Sequence, residues 1–418
     1  MHDLVVRGGT LVLPEGPRRA DLGVGDGAIA EIAEELPGGR EEIDATGLHV
    51  LPGGIDAHVH FNEPGRTHWE GWATGTAALA AGGMTACFEM PLNAHPPTID
   101  GPAFDAKLAA AQASACVDFA LWGGIVPGNA DRLEELHERG VIGLKAFMSA
   151  SGTDDFPNAD DATLHAGMAI AARLGAIVAV HAENDALISR PHAGTSWRDY
   201  AASRPPVAET EAIARALAFA EDTGCALHVV HVSTGRGVEL VAEARARGVD
   251  ATCETCPHYL FLREQDMETL GVVAKCAPPL RAPEPLWERL AQIALVASDH
   301  SPCPPELKDP DDYFFAWGGI AGAQTTLPLL LTRADPATVA RLTAHGPAER
   351  FGIARKGALK TGYDADLALV ELGTLDELRA EDLRYRHKLS PFLGRRLPRV
   401  VRTLLRGAEP AYGKLLRP

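Results

Sequence analysis

No apolar run in this chain approaches the ~20 residues that a membrane-spanning helix requires. The opening stretch MHDLVVRGGTLVLPEG has no basic segment followed by an apolar one, so no secretory leader is expected. The seven cysteines are odd in number and lack the regular spacing of a disulfide framework. A reducing cytoplasm is the expected compartment. Positive charge is also scarce: 39 Lys and Arg stand against 56 Asp and Glu, a formal net charge of −17. Such a surface repels nucleic acid and anionic membranes, so neither is an expected partner. Acidity alone identifies no substrate. Short-period repeats, low-complexity segments and a Gly-rich phosphate loop are missing too, and the last of these weighs against a doubly wound open sheet.

What is present suits a large soluble globular chain. The chain has 418 residues, 46% of them hydrophobic, which is too many for one small core. Its first fifty residues and those after about residue 355 share a texture of short Val/Leu/Ile runs between Gly and Asp turn signals, as in LVVRGGTLVLP and GYDADLALVEL. The middle alternates. Apolar runs end near His60, Met90, Trp122, Phe147, His181, His231, Thr255 and Asp299. Between them lie Ala/Glu/Arg-rich helical stretches such as WATGTAALAAG, ADRLEELHERG and TEAIARALAFAEDTG, each closed by a Gly of the C-cap kind. The expected fold class is α/β. A (β/α)8 TIM-like barrel spans 52–355, and a small β-sandwich domain is formed by both chain ends, 1–51 and 356–418.

The chemistry concentrates at the strand ends. In LPGGIDAHVHFNEPG, His58 and His60 are two residues apart, so on a strand they project to one face and can grip one divalent cation. Alone, the pair is equally readable as core histidines. Lys145, His181, His231 and Asp299 recur at other strand ends, all expected at the C-terminal mouth where barrel active sites lie. An ammonium cannot ligate a metal. A buried lysine loses its proton more easily, and its amine can take up CO2 as an anionic carbamate; without that change Lys145 reads as an ion-pair residue. Cys253-Glu254-Thr255-Cys256 is a CxxC with no second pair, and core cysteines are the expectation. His258 and His300 lie close enough to support ligands from behind. His228 should point away from the face of His231 if its strand is regular.

These motifs resemble the amidohydrolase superfamily, specifically its cyclic-amidase branch of dihydroorotases, hydantoinases and allantoinases, over essentially the whole chain. The resemblance implies a binuclear centre of two divalent metal ions, zinc foremost, with iron, cobalt or manganese as alternatives. It places His58 and His60 on one metal and His181 and His231 on the other. A carbamylated Lys145 would bridge them, and Asp299 would be both ligand and proton shuttle. Dihydroorotases resemble HFREPG and TDHAPH, whose Arg and His recognise a substrate carboxylate; here Asn62 and Cys303 stand instead. Hydantoinases carry a Tyr five residues after the bridging lysine, where this chain has Ala150. The segments NEPGRTHWEG, EMPLNAHPPT, LKAFMSASGTDDFP and SDHSPCPPELK closely resemble the allantoinase group. That implies opening of the hydantoin ring of allantoin to allantoate by a hydroxide held between the metals, with Asn62, Asn93 and Ser151 as substrate contacts. A small-molecule substrate and a homo-oligomer, a tetramer by resemblance, are expected. The competing readings are a broader hydantoinase or dihydropyrimidinase, a dihydroorotase-like amidase, and a non-catalytic scaffold.

Overall fold

Two residues with positive φ, Asp26 (51°) and Gly27 (74°), turn the chain between its second and third strands. A two-residue Asp-Gly loop with both residues left-handed matches the twist of antiparallel strands. The computed structural model describes residues 1–189, 194–308 and 312–418. Its first strands are β1 (Leu4–Leu13), β2 (Gly16–Gly25), β3 (Ala28–Ala33), β4 (Glu41–Asp44) and β5 (His49–Pro52). β1 pairs antiparallel with β2 and β2 with β3, while β4 and β5 run parallel to β1.

The middle of the chain is a run of parallel strands: β6 (Gly54–Val59), β7 (Met84–Glu89), β8 (Asp118–Leu121), β9 (Gly123–Gly124), β10 (Leu144–Phe147), β11 (Ile177–His181), β12 (Ala226–Val229), β13 (Ala251–Thr255) and β14 (Leu295–Val296). They pair in sequence order, β6 to β8 in one sheet and β9 to β14 in another, with only Trp122 separating β8 from β9. An isolated parallel bridge joins Val59 to His300, and the His60 N–H donates to the His300 carbonyl at 2.8 Å. The end of the series therefore lies beside its beginning. Parallel strands in sequential order with intervening helices are an α/β arrangement of TIM-barrel type.

Helix ends follow local chemistry. Asp160 caps Asp161–Leu174 by accepting from the Thr163 N–H, and left-handed glycines close several helices: Gly140, Gly175 and Gly224. The helix Trp72–Ala81 departs from the expected pattern. Gly82 has φ −89°, and the left-handed residue is Gly83 (88°). Among the described residues, no helix is long and apolar enough to cross a membrane.

Covered on both faces, the parallel strands are buried almost throughout. Charged groups inside them need partners. At the end of β7, the fully buried Glu89 pairs with the equally buried Lys107 of the helix Gly101–Ser114, which also donates to the Met90 carbonyl at 2.7 Å. Burial pushes Glu89 up to about 7, opposed by Lys107. Replacing Lys107 with methionine leaves that carboxylate buried and unpaired, an expected loss of about 3–5 kcal/mol. A chemical-denaturation series checks it. Glu89→Gln added to Lys107→Met should recover most of the loss, and a single variant within about 1 kcal/mol of wild type would show the pair to be dispensable.

The chain then returns to its first sheet. β15 (Leu367–Glu377) pairs antiparallel with β5, and β16 (Arg396–Leu404) with β15. Side chains from both chain ends, including Val6, Leu22, Ile29, Val50, Leu367 and Leu404, share one apolar core. Between β15 and β16 the chain leaves this sheet and lies on the parallel-strand body. There the Tyr385 hydroxyl accepts from the Gln324 N–H at 3.0 Å, and Arg386 donates to the Glu70 carbonyl at 2.6 Å.

Candidate metal centre

β6 carries His58 on its last turn of pleat, and His60 follows its end. Both Nε2 atoms approach Asp299 Oδ1, at 3.2 and 3.3 Å. Asp299 lies just past β14 with φ 46°, and His231 lies just past β12 with φ 38°. Two non-glycine residues held in the left-handed region at one site are local strain of the kind that functional sites retain. His181 ends β11, and its ring centroid is 4.7 Å from that of His231. His58, His60 and Asp299 offer ligand atoms that all lie within 4.8 Å of one another.

Three of the four rings are turned by a partner on the far side. His58 Nδ1 is 2.6 Å from Glu254 Oε1, which directs Nε2 inward. The Asn93 amide sits 3.1 Å from His60 Nδ1. His181 is turned the other way: its Nε2 is 2.8 Å from Glu183, itself paired with Arg204, so Nδ1 faces inward. Carboxylates behind imidazoles fix the tautomer and leave the opposite nitrogen with its lone pair, the arrangement of metal-binding histidines. His181 Nδ1 then meets His231 Nε2 at 3.0 Å, while His231 Nδ1 has no hydrogen-bond partner. Nitrogens gathered in this way call for a shared proton or a cation.

Protonation states favour the cation. Burial pushes His60 down to about 4 and His181 and His231 below the usual imidazole value, so these rings are neutral and able to ligate. Burial works to raise the Asp299 carboxyl, but His58, His60 and His231 outweigh it and hold the group well below the carboxylate range. Lys145, inside β10, is completely buried, its Nζ has no hydrogen-bond partner, and burial brings its ammonium down to about 7. Its charge acts on His60, His181 and His231. An orphaned lysine amid four imidazoles and a carboxylate fits a modified or metal-linked group better than a free ammonium. The donor set therefore fits divalent metal.

The six strand-end residues are thus gathered at one place, while the three expected substrate contacts divide. Asn93 and Ser151 line a cavity of about 330 Å³ that also exposes His58, His60, His181, His231 and Asp299. Ser151 Oγ is engaged in its own turn, donating to the Phe156 carbonyl at 2.6 Å. Asn62 does not line the cavity. Its φ of 63° turns it into the protein, where Nδ2 is 3.4 Å from the Pro302 carbonyl. The CxxC cysteines are buried free thiols, as expected of core residues. Behind the site, the His300 ring accepts from the Gly322 N–H at 3.3 Å, and His258 brings a partnerless Nε2 beside Cys256 and Asp299.

Two groups were not singled out from the sequence. Glu254 lies inside the CxxC that drew attention to its cysteines; the available signal was a carboxylate within an apolar strand. Glu183 follows His181 by two residues, the spacing of a shared strand face. The His231 ring lines the cavity and the His228 ring does not. Glu254 lies between them, meeting His228 Nε2 at 3.1 Å and the backbone N–H of His231 at 3.3 Å.

The profile of the amidohydrolase family matches residues 49–407. Among curated proteins, the allantoinase of Rubrobacter xylanophilus is 60% identical, covering 97% of this chain and 93% of that protein. The allantoinase of Solibacter usitatus is 50% identical over the whole of this chain and 97% of its own length. Among solved structures, L-hydantoinase (dihydropyrimidinase) from Arthrobacter aurescens superposes with a TM-score of 0.96 at 35% identity, covering both chains completely. A D-hydantoinase superposes with a TM-score of 0.90 at 29% identity, covering 99% of this chain and 98% of that one.

Proposed function

The chain belongs to the amidohydrolase family, and on that footing we propose that it hydrolyses the cyclic amide bond of allantoin to give allantoate. It is a hydrolase of C–N bonds in cyclic amides. The observation that carries the substrate is the charge of the cavity wall. The cationic side chains lining it among the described residues, histidines aside, are Arg204 and Lys275. Arg204 pairs with Glu183, and Lys275 donates to the carbonyls of Phe314 and Ala316. With Asn62 and Cys303 where a carboxylate-binding Arg and His would stand, the cavity suits an uncharged ring bearing a ureide.

In this reading His58 and His60 would hold one divalent cation and His181 and His231 a second, with Asp299 as a further ligand. Nitrogen and oxygen donors suit zinc first, then iron, cobalt or manganese. The neutral Lys145 amine would add CO2, forming an N–C bond and releasing a proton, and as a carbamate Lys145 would supply an anionic ligand shared by the two cations. Bound cations supply Lewis acidity, activating water and drawing charge from the attacked carbonyl. Asp299, ionised and aimed into the cavity, takes the proton of the attacking water and passes it to the departing nitrogen. Asn93 and Ser151 are positioned to meet ring or ureide; Asn62 supports the wall through Pro302. The parallel strands form a closed (β/α)8 barrel over 52–355, carrying a β-sandwich from 1–51 and 356–418. The enzyme works in the cytoplasm as a homotetramer.

A second reading, a broader hydantoinase or dihydropyrimidinase, is favoured by the likeness to the L-hydantoinase structure, but Ala150 stands where hydantoinases carry Tyr. Rates on allantoin, hydantoin, dihydrouracil and dihydroorotate at defined metal loading separate the readings, and metal content separates both from a scaffold. Allantoin should exceed dihydroorotate in kcat/KM by on the order of 10²-fold or more. A carboxylate entering this cavity loses water without gaining two charge-assisted bonds of about 1.5–3 kcal/mol each, at about 1.4 kcal/mol per tenfold. Comparable values for the two substrates would show that Asn62 and Cys303 do not set the specificity.

A further inference from the structure

The ligands of this centre are not supported independently. His181 has Glu183, and His60 has Asn93. His58 and His231, on different subsites, share one carboxylate. Glu254, buried on β13, approaches His58 Nδ1 at 2.6 Å with Oε1, and the same oxygen accepts from the His231 backbone N–H at 3.3 Å. Its other oxygen is 3.1 Å from His228 Nε2, and His228 is fixed in turn by Thr252 Oγ1, 2.8 Å from Nδ1. The carboxylate is therefore held at both oxygens and cannot rotate away from either ligand.

The two contacts do different things. At His58 the carboxylate receives the Nδ1 proton, so Nε2 keeps its lone pair toward Asp299. At His231 it holds the main chain of a residue at φ 38°, a conformation disfavoured without such a restraint. That turn delivers Nε2 to His181. We infer that Glu254 is a positioning residue shared by both halves of the metal centre, acting on His58 through its ring and on His231 through its backbone, so that one side chain sets the affinity of both subsites. The inference rests on the metal assignment above.

The test uses the full-length protein, freed of metal and titrated with Zn2+ or Co2+ against a chelator, with metal per chain counted directly. Wild type should hold two cations. Glu254→Leu should lower the affinity of both subsites about 10–100-fold, the usual effect of losing a group behind a ligand. Glu254→Asp keeps the charge but draws the oxygens back by about 1.5 Å. It should weaken both subsites in the same sense, and it carries the test if the leucine variant does not fold. Glu254→Gln, which keeps an acceptor at full reach, should retain both cations within about tenfold of wild type. Glu183→Leu, which among the ligands loses a contact to His181 alone, should weaken one subsite only. A purely structural role would lower the melting temperature of the metal-free protein and leave metal affinity of the folded fraction unchanged; that result overturns the inference, as does weakening of only one subsite in the Glu254→Leu and Glu254→Asp variants. A wild-type chain that holds no cation would overturn the metal reading itself, a distinguishable outcome.

Discussion

Asp299→Asn is expected to lower kcat by about 10²–10⁴-fold, the range contributed by a general acid–base group, while removing far less metal. Asp299 meets both His58 and His60, and asparagine still offers an oxygen at that place. What it cannot do is accept a proton from the attacking water and return it to the ring nitrogen. The neighbouring imidazoles hold the Asp299 carboxyl well below its usual range, so the native group is an ionised acceptor at any working pH. Turnover measured beside the metal content of each preparation checks the prediction. A variant within a few-fold of wild type at equal loading would remove Asp299 from proton transfer.

Lys145→Ala should abolish most activity and much of the metal together. The buried lysine carries no hydrogen bond at Nζ, which lies 5.0 Å from the centre of the Phe147 ring, so its loss removes no hydrogen bond there. On the proposed assignment it removes the anion that balances two cations among neutral histidines. It also vacates space, and a small carboxylate such as acetate should enter and restore part of both properties in a concentration-dependent way. Full activity with full metal content in the alanine variant would end the bridging assignment. Activity that stays absent in acetate, with both metals bound, would show that the lysine serves another purpose.

The contrast between Glu254 and His58 shows how far the sequence could be read. Alternation along a strand states which residues share a face, so His58 and His60 were legible as a pair, as were the other groups at apolar strand ends. Alternation does not state what lies across the sheet. That His58 would find Glu254, far along the chain, depends on strand order and register. His231 illustrates a second limit. It lies past its strand, and a left-handed φ rather than the pleat sets where it points. Asn62 shows the same limit: a φ of 63° sets its side chain near the Pro302 carbonyl, which its place two residues after His60 does not state. Lys107 on a helix reads as solvent-facing until Glu89 is seen beneath it.

The segment between β15 and β16 bears on when the site can mature. Tyr385 lies 5.0 Å, ring to ring, from His300, the residue after Asp299, and the Arg386 N–H donates to Glu70, whose carboxylate faces His300. At translation rates of about 5–20 residues per second, these residues leave the ribosome several seconds after Asp299. A nascent chain that has already made every parallel strand therefore still lacks the contacts behind Asp299. On the proposed assignment, metal retention waits for this segment, and chains stalled before Tyr385 are expected to be collapsed yet unable to retain cations, which metal counts on chains truncated before Tyr385 would check.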